Sequence, residues 1–192
     1  MKKLMVLGCI IVLANMVGFS QPFGKGSQAI NLGIGFGNSG SFGTYYSGFL
    51  PSASASYEYG IVEIPMGSQM TGVVSAGAYV GWSLSKYSYS NWNSGDYYLS
   101  TDLVMGVRGN YHFIFHDQFD PYAGLIFGID IQSAKWHSDG NDNDPGVDFT
   151  GTTPFAGIYA GARWFFTDSF GVYAEVGWLI SVINAGVTFK IK

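Results

Sequence analysis

The chain has 192 residues, enough for one domain, and only 11% of them are charged, against about 25% in ordinary soluble domains. Aromatic residues make up 17%, glycine accounts for 28 positions and the formal net charge is −4. So few charges make a solvated exterior hard to build, and the acidic balance argues against a nucleic-acid partner, which needs a basic face.

The N-terminus reads as an export signal. Met1-Lys2-Lys3 is a positive start, Leu4 to Val17 is apolar apart from Asn15, and Gly18-Phe19-Ser20 puts small residues before a cut at Gln21. The expected organisation is a signal peptide over 1–20 and one domain over 21–192. Val6-Leu7-Gly8-Cys9 resembles a lipobox, but the apolar run continues past the cysteine. Cys9 is the only cysteine, so the mature chain is expected to hold no disulfide or thiolate site.

Beyond the leader the hydrophobic period is two, and it predicts eight strands. Gln28–Gly37 sets Ile30, Leu32, Ile34 and Phe36 against Asn31, Gly33 and Gly35. Pro51–Tyr59 sets Ala53, Ala55, Tyr57 and Tyr59 against serines and Glu58. Thr71–Ser85 carries Val74, Val80, Trp82 and Leu84 on one face and Ser75, Gly77, Tyr79 and Ser83 on the other. Tyr98–Phe113 opposes Leu103, Met105 and Val107 to Asp102, Arg108, Asn110 and His112. Pro121–Lys135 opposes Leu125, Phe127 and Ile129 to Tyr122, Gly124 and Asp130, and Thr153–Phe165 opposes Ile158 and Trp164 to Tyr159 and Arg163. Gly171–Leu179 has Val172, Val176 and Trp178 against Tyr173 and Glu175, and Val182–Ile191 has Ile183, Val187, Phe189 and Ile191 against Asn184, Thr188 and Lys190. The connections alternate between polar stretches, 38–50, 87–97 and 136–152, and shorter ones, 60–70, 115–120 and 166–170. The last hairpin, around Ile180-Ser181, has almost no loop.

An even number of strands with long loops at one end and short turns at the other fits an eight-stranded, antiparallel, up-and-down transmembrane β-barrel. The alternative is a lipocalin-like carrier with its apolar face inside. Three features favour lipid outside: the polar face holds few charges, it is rich in Gly and Ser, and aromatics gather at strand ends. Trp82, Tyr87, Trp92, Tyr97, Tyr98, Trp136 and Trp178 lie toward one end, and Tyr57, Tyr59, Tyr111, Phe113, Trp164, Phe166, Phe170 and Phe189 toward the other.

The run Gly161-Ala162-Arg163-Trp164-Phe165-Phe166-Thr167-Asp168, continuing through Glu175-Val176-Gly177 to Phe189-Lys190, resembles the small eight-stranded outer-membrane β-barrels of the OmpA/OmpX type, the porin-like barrels of Gram-negative bacteria. Pro51 through Ser56-Tyr57-Glu58-Tyr59-Gly60 is similar to them as well. The resemblance implies location in the cell outer membrane, contact with its lipid, no cofactor and handover to the barrel-assembly machinery. Asn184, Gly186, Phe189 and Ile191 match the family's C-terminal assembly signal, although the chain ends on Lys192 instead of an aromatic residue.

The charges of the inward face, Glu58, Asp102, Arg108, Asp130, Arg163, Glu175 and Lys190, are the sharpest candidate site. A structural network is expected, because charges in a low-dielectric interior need partners; the competing reading is an ion path. Glu175 is expected to lie diagonally near Arg163 and Lys190. Asp139-Gly140-Asn141-Asp142-Asn143-Asp144 looks like the start of a calcium loop but lacks the later Gly and Glu, so an acidic solvated loop is expected and no metal site is assigned. Gly35-Phe36-Gly37-Asn38-Ser39-Gly40 matches a phosphate-loop pattern in letters only, since no helix follows. A catalytic role is not expected: His112 and His116 sit at the short-turn end, and neighbouring His137, Ser138 and Asp139 point apart in a strand. The function expected is non-catalytic, structural or surface-interacting, with Tyr45, Tyr46, Tyr87, Tyr89, Trp92 and Trp136 offering loop contacts to a partner. The alternative is a narrow pore for small ions or solutes.

Overall fold

The computed structural model describes residues 23–38, 48–49, 51–67, 70–87, 97–137 and 147–191. The expected signal peptide over 1–20 with Cys9, the acidic stretch 139–144, and Tyr45, Tyr46, Tyr89 and Trp92 lie outside them.

Eight long strands form the molecule: β1 Gln28–Asn38, β2 Ser52–Pro65, β3 Thr71–Tyr87, β4 Tyr97–Ile114, β5 Phe119–His137, β6 Phe149–Phe165, β7 Phe170–Gly177 and β8 Ser181–Lys190. Gly48–Phe49 adds a two-residue pairing against Ser85 and Lys86. Each long strand is antiparallel to its sequence neighbours, and β1 pairs with β8 from Ala29↔Lys190 to Asn38↔Ser181, so the hydrogen bonding runs round as a ring. The fold is thus an all-β, eight-stranded, barrel-like ring.

The strands run further than the alternation predicts. β2 continues through Ile61 to Pro65 because a bulge between Gly60 and Val62 interrupts the period of two, which hides the continuation from a pattern reading. β6 begins at Phe149, four residues before the expected start at Thr153. By contrast β7 stops at Gly177, so Leu179 belongs to the turn. β3, β4, β5 and β6 have 17, 18, 19 and 17 residues, while β7 and β8 have 8 and 10. The wall is therefore tall on one side and low on the other.

The polarity of the ring is inverted relative to a water-exposed protein. Ser54, Ser56, Glu58, Arg108, Asn110, His112, Arg163, Glu175, Asn184 and Thr188 are buried inside. Val107, Ile158, Phe127, Val176 and Trp178 are more than half exposed on the outside. This polarity contradicts the lipocalin-like reading, which needs an apolar interior. Tyr98 and Trp136 also depart from the expected aromatic girdle: they sit opposite each other in register on the inward face, with ring centroids 4.7 Å apart.

Candidate functional site: a chain of charges across the lumen

The inward face is filled in layers. At the short-turn end Phe23, only 1% exposed, stacks on His112 with ring centroids 4.5 Å apart. The turn that follows it is pinned by Gly26 N–H donating to the Gly60 carbonyl at 2.8 Å and Gly60 N–H to the Ser27 carbonyl at 2.9 Å.

Above Phe23 lies a line of alternating charge. Arg108 on β4 donates to Glu175 on β7 at 2.5 Å, and its Nε is 3.5 Å from Glu58 on β2. Glu58 also pairs with Arg163 on β6, whose Nη1 is 3.0 Å from Asp120 on β5. Asp120 Oδ1 is 2.7 Å from His112 Nδ1, and His112 Nε2 is 2.9 Å from Ser75 Oγ on β3. Asn110 Nδ2 donates to both Glu58 and Ser75, and the Asn110 oxygen accepts from the Tyr159 hydroxyl. Tyr122 donates to Glu175 at 2.8 Å. The guanidiniums lie over rings, Arg108 at 4.5 Å from Tyr159 and Arg163 at 4.8 Å from Tyr122.

Six strands meet in this cluster. Burying such charges is costly, and only mutual pairing with further hydrogen bonds offsets the loss of water. Each guanidinium here faces two carboxylates, which supplies that compensation.

The structure brings four of the sequence-predicted residues together, Glu58, Arg108, Arg163 and Glu175. Glu175 reaches Arg108 across the lumen, where the sequence pointed to Arg163 and Lys190. Asp102 accepts from Ser83 at 3.2 Å, Asp130 accepts from Gln132 at 2.7 Å, and Lys190 lies 5.1 Å from the Phe165 ring, all away from the central line. Asp120, His112, Ser75, Asn110, Tyr122 and Tyr159 are members that the charge pattern did not single out. Asp120 was legible in principle, since even-numbered residues from Tyr122 onward face inward and one further step includes it. Asn184 also points inward, donating to Ser54 at 2.8 Å and Tyr173 at 3.3 Å, while Phe189 and Ile191 face outward.

Ser75, His112 and Asp120 stand in the order of a nucleophile, base and acid relay. Packing forbids that chemistry. Ser75 is 1% exposed and its oxygen also takes the Asn110 amide at 3.3 Å. Phe23 covers the imidazole, and Arg163 holds the second Asp120 oxygen. No reacting carbonyl can approach Ser75 through these neighbours, so the trio serves as a hydrogen-bonded tie between β3, β4 and β5. Among the described residues no group of three His, Cys, Asp or Glu side chains is arranged to hold a metal.

An apolar cluster lies next to the charge line. Leu179 and Ile180, at the tip of the β7–β8 hairpin, turn inward and pack with Tyr79, Val104, Tyr122, Ile126 and Tyr159. The close approach of this hairpin to β6 requires Gly157, where a Cβ would collide with the Trp178 carbonyl.

The fold and its interior thus define a barrel-like β-ring with a packed, charge-paired lumen and an apolar outer wall. Residues 62–189 match the model of a protein family described as a family of unknown function (DUF6646), and the chain belongs to that family. Comparison with curated proteins gives no match. Among solved structures, the N-terminal β-barrel domain of Pseudomonas aeruginosa OprF is similar at 14% identity, covering 88% of this chain and 100% of that chain, with a TM-score of 0.49. Ail, the attachment invasion locus protein of Yersinia pestis, matches in its complex with the heparin analogue sucrose octasulfate at 12% identity, covering 86% and 95% of the two chains, with a TM-score of 0.49. Ail without that ligand matches at 11% identity over the same shares with a TM-score of 0.43.

Proposed function

We propose that this chain is a non-catalytic integral protein of the cell outer membrane, a transmembrane β-barrel with a structural or surface-interaction role. The observation that carries this reading is the inverted polarity: the large apolar side chains face out while the charges are buried and paired inside. In water such an exterior would be a continuous apolar patch far beyond what monomers expose. In a bilayer it is the expected outer surface. The inner-end rings support the same reading, because Phe115, Phe119, Trp164, Phe166, Phe170 and Phe189 include a succession of ring contacts 5.4 to 6.2 Å apart, as an interfacial girdle would.

Within this reading, residues 1–20 are the export signal, and Asn184, Gly186, Phe189 and Ile191 present the chain to the barrel-assembly machinery. The outer loops are the surface open to a partner. The pore alternative is opposed by the packed lumen, with Phe23 at one level, the ion pairs above it and Leu179 with Ile180 above those.

Fractionation of producing cells tests the proposal. The expected result is a band in the outer-membrane fraction that migrates differently before and after boiling. A periplasmic band with no shift would overturn it.

A further inference from the structure

The bulge in β2 brings to the inward face a residue that the alternation assigns to the outside. Before Gly60 the even-numbered residues Ser54, Ser56 and Glu58 turn inward. After the bulge Glu63 stands opposite Val73, whose buried side chain faces the lumen. The inserted residue thus aims the Glu63 carboxylate at the mouth of the ring, at the short-turn end. A strap, Phe23 to Ser27, crosses the same mouth. Gly26 turns it with a φ of 84°, Gly24 N–H donates to the Ser27 hydroxyl at 3.0 Å, and Ser27 N–H donates to the Gly24 carbonyl at 3.1 Å. A Cβ on Gly60 would collide with the Gly24 carbonyl, so glycine there lets the strap lie against β2. Lys25 N–H donates to one Glu63 oxygen at 2.7 Å and holds that carboxylate against the strap.

Between the strap and the ends of β2, β3 and β4 lies a cavity of about 410 Å³, within the size range of small-molecule sites. Its floor is apolar, from Phe23, Val73 and Ile114, and its lips are polar, from Lys25, Glu63 and Thr71. Lys25 and Glu63 are both exposed and of opposite sign. Their charged ends form no ion pair, although the Lys25 backbone bonds the same carboxylate. Among the described residues the Lys25 ammonium, the second Glu63 oxygen and the Thr71 hydroxyl have no hydrogen-bond partner. A cation and an anion therefore stand on the rim of one cavity without neutralising each other.

We infer that this cavity binds a small zwitterion, an amino acid or a short peptide, with its ammonium at Glu63, its carboxylate at Lys25 and its aliphatic part toward the floor of Phe23, Val73 and Ile114. Charge complementarity names the ligand. A molecule of one sign would satisfy one lip and face a like charge on the other, whereas a zwitterion meets both with charge-assisted hydrogen bonds. The hydrogen bonds within the strap and from the strap to β2 fix the lips in advance, which lowers the ordering cost of binding. The site concerns the mouth of the ring and not its outer wall, so it stands apart from the membrane reading.

The test uses the protein purified from producing cells in dodecylmaltoside, with folding checked by circular dichroism. Alanine, Ala-Ala and Ala-Ala-Ala are titrated by calorimetry, each beside its N-acetylated and its C-amidated form. The expected result is saturable binding of at least one free zwitterion, weakened about tenfold or more by either cap. The tightest of the three tells a free amino acid from a peptide as the source. Glu63→Gln is expected to lose most of the acetylation penalty and keep the amidation penalty, Lys25→Gln to do the reverse, and Lys86→Gln, at the far end of β3, to bind as wild type does. No saturable binding at millimolar concentrations, capped and free forms binding alike, or folded variants that keep both penalties overturns the site. A penalty from one cap alone assigns a ligand of single charge and overturns the zwitterion. The capped ligands decide the matter on wild type, so a variant that fails to fold does not shield the inference.

Discussion

At the scale of residues, the lumen is organised by compensation. Arg163 is fully buried between Glu58 and Asp120, and Arg108 lies between Glu58 and Glu175. Removing the Arg163 guanidinium takes a buried cationic partner from both Glu58 and Asp120. Arg163→Ala is therefore expected to cost about 3–5 kcal/mol, read as the shift in urea unfolding of the barrel in lipid vesicles. The joint change Glu58→Gln/Arg163→Gln removes a charge of each sign and is expected to recover part of that loss. An unaltered unfolding curve for Arg163→Ala would show that the pairing contributes nothing. The inward position of Glu58, Arg108, Arg163 and Glu175 was legible from the alternation, but their partners were not. In a narrow ring an inward side chain is as close to the opposite wall as to its neighbours, and the tilt of the strands decides which heights meet. Arg108 and Glu175, 67 positions apart, join across that space.

At the scale of elements, the β7–β8 hairpin behaves differently from the others. Its strands are short and its tip turns into the lumen, burying Leu179 and Ile180 to 1% and 2% exposure. Period-two reading treats Leu179 as the last residue of a strand because nothing polar marks the turn. The bulge after Gly60 hid the extension of β2 for a related reason: one inserted residue reverses the face of everything after it. Leu179→Ala removes packing inside the lumen and is expected to cost about 2–5 kcal/mol. Val176→Ala, on the outward face of the same hairpin, exchanges one apolar surface for another and is expected to cost less than about 1 kcal/mol. Equal losses in urea unfolding would show that the hairpin tip does not pack as described.

At the scale of the whole molecule, eight strands, their antiparallel order and the apolar outer wall were all present in the sequence as a simple alternation. The lumen closed at several levels was not, because plugging by Phe23 and Leu179 depends on chain segments that leave the strand pattern. This packing predicts that wild-type protein in planar bilayers shows no steady conductance of porin size. Stable channels of that size would favour the ion-path reading instead.

The central claim is that the apolar face meets lipid. Val107, 66% exposed on the outer wall, is the position to interrogate. The mature chain carrying Val107→Cys, labelled with a fluorophore and folded into vesicles, is compared for quenching by brominated acyl chains and by aqueous iodide. Strong quenching by the brominated lipid with little effect of iodide is the result predicted. Quenching by iodide without effect of the brominated chains would place this wall in water and contradict the account.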